Sequence, residues 1–174
     1  LLEGLGRLEY RGYDSAGAAV LDRGKIEIRK AVGHVAALVE EIKSRPISGR
    51  SGICHTRWAT HGGVTLENAH PHRDASGKLA LVHNGVVENH KDLRAELESR
   101  GHVFTSQTDT EVISRLIGEA FDGHGEKSRE ALVESAREAL QQVRGTYAIG
   151  VVHEDLWEFL LAARRGSPLA LGFG

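Results

Sequence analysis

Residues 52–72, GICHTRWATHGGVTLENAHPH, fall into two parts of different chemistry. Gly52 to Ala59 has the composition of a strand, and the remainder breaks into Thr, Gly, Asn and Pro with almost no apolar run. A strand feeding a polar loop is a common way for a rigid scaffold to present functional groups. Arg57 and Trp58 stand at the junction. An arginine there can clamp a carboxylate through two parallel hydrogen bonds, because its planar fork matches the two oxygens where a lysine offers a point charge. The alternative is a surface arginine lying over a core tryptophan.

On the N-terminal side, Leu1, Leu2, Leu5 and Leu8 follow helical spacing with no N-cap residue ahead of them, so the expectation is a helix that has lost its beginning. Ala18–Leu21 and Lys25–Lys30 flank the hairpin signal Asp22-Arg23-Gly24 and predict an antiparallel pair. Val35, Leu38, Val39 and Ile42 predict a helix over 32–43, stopped before Pro46. On the C-terminal side, Lys78–His83 reads as a strand closed by Asn84-Gly85. Asn89 reads as the cap of a helix to Arg100, with Gly101 its stop. Val103-Phe104 is expected as a brief strand and Ser106–Asp109 as a loop. A helix follows over 110–121, with Val112, Ile113, Leu116 and Ile117 on one face, and Ser128 caps another to about Val143. Tyr147–His153, Leu160–Arg164 and Leu169–Leu171 are further expected strands, and with no closing polar tail the C-terminus also reads as cut. Hairpins interspersed with paired helices predict one α+β domain with mostly antiparallel sheets in layers.

A chain of 174 residues can bury roughly 70% of its unfolded surface, enough for a single core. Its 22 basic and 24 acidic residues leave a charge of −2, without the basic surplus that a nucleic-acid partner favours. No apolar run approaches the ~20 residues of a membrane span. The lone cysteine, which has no internal disulfide partner, fits a reducing compartment, and the expected location is cytoplasmic.

Asn84-Gly85 admits two readings. Asn-Gly is a strong hairpin signal; alternatively, an asparagine amide and the next backbone N–H point together at an oxygen that becomes negative during acyl transfer. The residues that follow, Val86-Val87-Glu88-Asn89, do not continue as a clean hairpin. Ten histidines include a group at 55, 61, 70, 72, 83 and 90, but His70-Pro71-His72 lacks the spacing of a zinc site. Cys54 and His55 are strand neighbours and face opposite sides, so Cys54 reads as a small core residue and not as a nucleophile.

Five motifs carry a resemblance. They are Tyr10-Arg11-Gly12-Tyr13-Asp14-Ser15-Ala16-Gly17, His55-Thr56-Arg57-Trp58-Ala59-Thr60-His61-Gly62, Asn68-Ala69-His70-Pro71-His72, His83-Asn84-Gly85 with Glu88-Asn89, and Thr108-Asp109-Thr110-Glu111. In this order and spacing the chain resembles, over its whole length, the glutaminase domain of the glucosamine-6-phosphate synthases, a class II glutamine amidotransferase family. The resemblance implies an N-terminal-nucleophile fold, a four-layer αββα sandwich, with L-glutamine as substrate and no cofactor or metal. It also implies a cysteinyl thioester, ammonia passed to a C-terminal isomerase domain that makes glucosamine 6-phosphate from fructose 6-phosphate, and a homodimer in the intact enzyme. Residue by residue, it implies that Arg57 holds the glutamine α-carboxylate, Asp109 its α-ammonium, Trp58, Thr60 and His61 line the pocket, Asn84 and Gly85 form the oxyanion hole, and Arg11 orients the nucleophile. The family's nucleophile is a terminal cysteine whose own amine, with a pKa near ~8, acts as base. Here residue 1 is a leucine inside the first helix, so the domain is expected to be incomplete at both ends and inactive as it stands. A non-catalytic glutamine-binding module and a His-rich metal-binding protein are the two alternative readings.

Overall fold

At the predicted hairpin, Arg23 (φ 47°) and Gly24 (φ 76°) both take positive φ, as the tight turns that match strand twist require. They join β1 (Ser15–Asp22) to β2 (Lys25–Val32), with Asp22 opposite Lys25. This is seen in a computed structural model that describes residues 1–172. On the other side of β1 lies β3 (Ser51–Arg57), so the first sheet has the order β2-β1-β3 and is antiparallel throughout. The second sheet is also antiparallel, in the order β4-β5-β6-β7, from His72–Arg73, Leu79–Val87, Gly145–His153 and Leu160–Arg165.

Side-chain alternation along β1 assigns the layers. Ala16 and Ala18 pack outward with Leu5 of α1 (Leu2–Arg7) and Val35 and Leu38 of α2 (Val35–Ser44). Ala19 and Leu21 point the other way and, with Ile26 and Ile53, meet Ala80 and Val152 of the second sheet. The far face of that sheet, through Leu79, Leu81, Ile149 and Val151, is covered by α3 (His90–Ser99), α4 (Asp109–Asp122) and α5 (Arg129–Gln142). Val112, Ile113, Ile117 and Phe121 of α4 are fully buried there, each stabilising the fold by roughly 1.5–3 kcal/mol relative to exposure. The result is a four-layer αββα sandwich with a core between each pair of layers.

Several expectations shift. Strand β2 runs on to Val32, opposite Ser15, so α2 starts only at Val35. Ser128 caps α5, its side chain accepting from Ala131 N–H, and Gly101 (φ +92°) follows the end of α3 as predicted. Asn89 holds the N-cap position of α3 as expected but makes no side-chain capping bond: its amide donates to Gln142 O at 2.9 Å and accepts from Arg144 N–H at 2.8 Å, tying the start of α3 to the α5–β6 link. Val103-Phe104 forms no strand, because Phe104 is drawn under the Arg94 guanidinium, 4.3 Å from the ring centre. Leu169–Leu171 is not a strand either; beyond Arg165 the described chain makes only one bridge, Gly166 to Tyr147. No described helix is long and apolar enough to cross a membrane.

Candidate active site

Strands β3 and β5 present alternate residues to the space between the sheets, and the chemistry of that space changes along their length. Ile53 and Ala80 meet there as apolar neighbours. Further along the same two faces, His55 Nε2 lies 2.9 Å from Asn84 Oδ1. A cleft of about 310 Å³ opens at this end, with Arg11, Arg57, Trp58, Thr60, His61, Asn84, Gly85 and Asp109 in its walls. Every residue to which the resemblance gives a role therefore reaches one concavity. Its size lies at the small end of ligand pockets, which run from about 300 to 1,000 Å³.

Arg57 is 4% exposed and Trp58 57%, the reverse of an arginine lying over a core tryptophan. The guanidinium donates to the carbonyls of His61 and Gly63, folding the loop after β3 back across the strand end. Asp14 supports the same loop by accepting from Ala59 N–H at 2.7 Å. A Cβ on Gly12 would stand 2.8 Å from the Arg57 carbonyl carbon, so the Tyr-Arg-Gly-Tyr-Asp segment can lie here only with glycine at its centre. Trp58 meets Tyr13 edge-on at the mouth of the cleft.

Asn84-Gly85 is not a turn. Both residues lie inside β5, which continues to Val87, opposite β6. Gly85 has φ +144°, and a Cβ there would sit 2.1 Å from Thr146 O. The glycine allows close strand approach at a backbone angle that L side chains rarely adopt. Asn84 is exposed to the cleft while its carbonyl oxygen rests on buried His55. Asp109, the first residue of α4, is 5% exposed and accepts from Val87 N–H at 2.8 Å.

Four histidines occupy the polar end of the interior, and for His70 and His83 the partners fix the protons. His83 N–H donates to His70 Nδ1, leaving His70 Nε2–H to donate to Thr110 Oγ1. That hydroxyl then donates to His83 Nδ1, and His83 Nε2 faces Thr146 O at 3.5 Å. His72 Nε2 lies 3.1 Å from Thr108 Oγ1. Burial, above all, holds the His55 pKa down at about 4 and His72 at about 3, and pushes His70 well below 6.5, so all three rings are neutral near pH 7. Among the described residues no group of three or more His, Cys, Asp or Glu converges as a metal site requires. Cys54 also borders the cleft, on the side of Leu5 and Leu8, where it packs against the helix-layer cluster of Leu5, Val35 and Leu38, and burial raises its thiol pKa.

Two features lie within the quoted motifs, yet nothing in the sequence marks their partners. One is the His55–Asn84 pair, which the period-2 pattern of β3 marks only once β5 is known to lie opposite. The other is Glu111, 1% exposed. It accepts from Thr105 N–H and Oγ1–H, from Ser106 N–H and from Arg115, bracing the loop that leads into Asp109. Burial works to raise its pKa, but the hydrogen bonds from Ser106, Thr105 and Arg115 outweigh it and hold the group at about 2.

Two antiparallel sheets between helix layers, with a cleft where the strand ends meet the start of a helix, give the architecture of the N-terminal-nucleophile class. The solved glutamine phosphoribosylpyrophosphate amidotransferase of B. subtilis superposes with a TM-score of 0.70 at 30% identity, over 88% of this chain and 32% of that one. Residues 55–171 match the glutamine amidotransferase domain family, and the chain belongs to it. Among curated proteins it is 49% identical, over its whole length, to the glutamine–fructose-6-phosphate aminotransferase (isomerizing) of Acinetobacter baylyi and 51% identical to that of Thermus thermophilus. It spans 27% and 28% of the length of those relatives.

Proposed function

We propose that the domain binds L-glutamine in this cleft and releases its amide nitrogen as ammonia, which a C-terminal isomerase domain uses to convert fructose 6-phosphate to glucosamine 6-phosphate. The observation that carries the reading is the pairing, in one small cleft, of a buried cation and a buried anion, Arg57 and Asp109, with the uncharged amide of Asn84. A free α-amino acid is a zwitterion, so Arg57 complements its carboxylate and Asp109 its ammonium. Asn84 Nδ2 and Gly85 N–H are then left for the side-chain carbonyl. A thiolate adds to the amide carbon, the oxygen gains negative charge against these two donors, and ammonia leaves with a proton to give a thioester. Water hydrolyses the thioester to glutamate and regenerates the thiol. Thr60, His61 and Trp58 bound the substrate, and Arg11 orients the attacking group.

The thiol in this scheme is a terminal cysteine, as the resemblance implies; Cys54 lies on the helix side of β3 with its pKa raised, facing away from Asn84. A phosphorylated sugar does not cross a bilayer unaided, which supports a cytoplasmic location. The experiment is to assay the full-length gene product with amide-15N glutamine and fructose 6-phosphate. Release of glutamate and labelled glucosamine 6-phosphate is expected; glutamine left intact refutes the reading.

A further inference from the structure

We propose that His55 is a positioning residue: it fixes which end of the Asn84 side chain faces the cleft. This inference rests on the glutaminase reading. An asparagine amide has two ends of nearly equal size, and only the NH₂ end can stabilise a developing oxyanion. Something must therefore set its orientation before substrate arrives.

The geometry supplies the means. His55 is 9% exposed, and its ring is stacked on His70 with centroids 4.2 Å apart and planes within 16°, so it cannot swing away. Its Nε2 lies 2.9 Å from Asn84 Oδ1, and the His83 backbone also approaches the ring, while Nδ1 is buried with no hydrogen-bond partner in this geometry among the described residues. If the proton is on Nε2, the ring donates to Oδ1, Nδ2 faces the cleft, and the only unmet group is the Nδ1 lone pair. Reversing the amide would require an acceptor at Nε2, which moves the proton to Nδ1. An N–H would then be buried with no acceptor, and a buried unsatisfied donor costs more than a lone pair left unfilled. A doubly protonated ring, the remaining possibility, is disfavoured by burial among three other histidines. The Nε2–H tautomer and the outward NH₂ thus select each other, before any ligand is present.

The test uses the full-length gene product and four variants: His55→Phe, His55→Gln, Asn84→Ala and the double variant His55→Phe/Asn84→Ala. Glutamine saved the position of a donor at Nε2, so His55→Gln should recover most of the activity. His55→Phe should lower kcat about 10- to 100-fold with KM for glutamine within a few-fold, and should cost nothing further once Asn84 is alanine. Additive losses in the double variant, or unchanged kcat in a folded His55→Phe protein, overturn the inference. If Asn84→Ala itself leaves kcat unchanged, the oxyanion reading falls and takes the inference with it. A neutron structure of the unsubstituted protein gives a check that needs no variant: deuterium on His55 Nε2 supports the assignment, and deuterium on Nδ1 refutes it.

Discussion

Asp109 Oδ2 accepts from the backbone N–H of Val87 at 2.8 Å, so the first residue of α4 is fastened to the last residue of β5, three positions beyond Asn84. One carboxylate thus joins the helix to the strand that carries the candidate oxyanion donors, and also supplies the negative wall of the cleft.

These two duties separate on substitution. Asp109→Asn keeps an oxygen for Val87 but loses the charge, so the protein should stay folded while kcat/KM for glutamine falls by roughly 10- to 100-fold, the scale of a lost charge-assisted hydrogen bond. Asp109→Ala should in addition lower stability by about 1–3 kcal/mol, because the buried Val87 N–H loses its acceptor. Steady-state kinetics alongside urea unfolding distinguish the two, and an Asp109→Asn enzyme with unaltered kcat/KM counts against the assignment.

Arg57→Lys should be far from conservative. The guanidinium reaches two loop carbonyls and the cleft at once, and an ammonium cannot reproduce that fork. We expect a loss of kcat/KM of at least about 10²-fold, together with faster proteolysis in the loop after β3. A variant as active and as protease-resistant as its parent is the contrary result.

Gly85→Ala should be among the most destabilising single substitutions in the second sheet. Its Cβ would stand 2.1 Å from Thr146 O at φ +144°. Gly101→Ala is the control: φ is +92°, but nothing lies within 4 Å of the added Cβ, so only backbone strain of about 1–2 kcal/mol is expected. Equal thermal shifts for the two would show that Thr146 yields without cost.

Stability should fall on the acid side of neutrality. The native state holds His55, His70 and His72 below the ordinary 6.5, with His55 at about 4 and His72 at about 3, through burial. As pH drops from 6.5 towards 4 the unfolded chain binds protons that the folded chain refuses, and each contributes a slope of roughly 1.4 kcal/mol per pH unit. Glu111 acts in the same direction lower down: its contribution is complete above 4.5 and is lost as pH falls towards 2. Urea midpoints measured from about pH 8 to about pH 4 should hold level and then decline below 6.5. A stability maximum near pH 5 would falsify this.

Cys54→Ala in the full-length gene product should leave glutamine turnover within about twofold, since the thiol packs with Leu5 and Leu38 on the far side of β3 from Asn84. Loss of turnover in a folded Cys54→Ala protein would instead name it the nucleophile.

The sequence was most readable where one local signal decides the outcome. Ser128 caps α5, and Asp22-Arg23-Gly24 turns, because each needs only its own neighbours. It was least readable where a distant segment overrides a local preference. Asn84-Gly85 favours a turn in isolation, yet pairing with Ala148 and Tyr147 carries β5 straight through it. Asn89 holds an N-cap position, but the free backbone groups of Gln142 and Arg144 take both ends of its amide. The cleft was legible as a set of residues only through the motifs of the resemblance, which are spread from Tyr10 to Glu111. The partners were not: Glu111 to Thr105, and His55 to Asn84 across 29 positions, exist only after folding.

Ile53 and His55 are two residues apart on one face of one strand, as are Val82 and Asn84 on the facing strand. The cleft is consequently continuous with the interior, and His55, His70 and His83 line it. Its base is the open end of the same inter-sheet seam that holds the sandwich shut, so a change in side-chain volume at Ile53 or Ala80 alters the sheet spacing on which the His55–Asn84 contact depends. One row of side chains thus serves both the cohesion of the sheets and the placement of the candidate oxyanion donor.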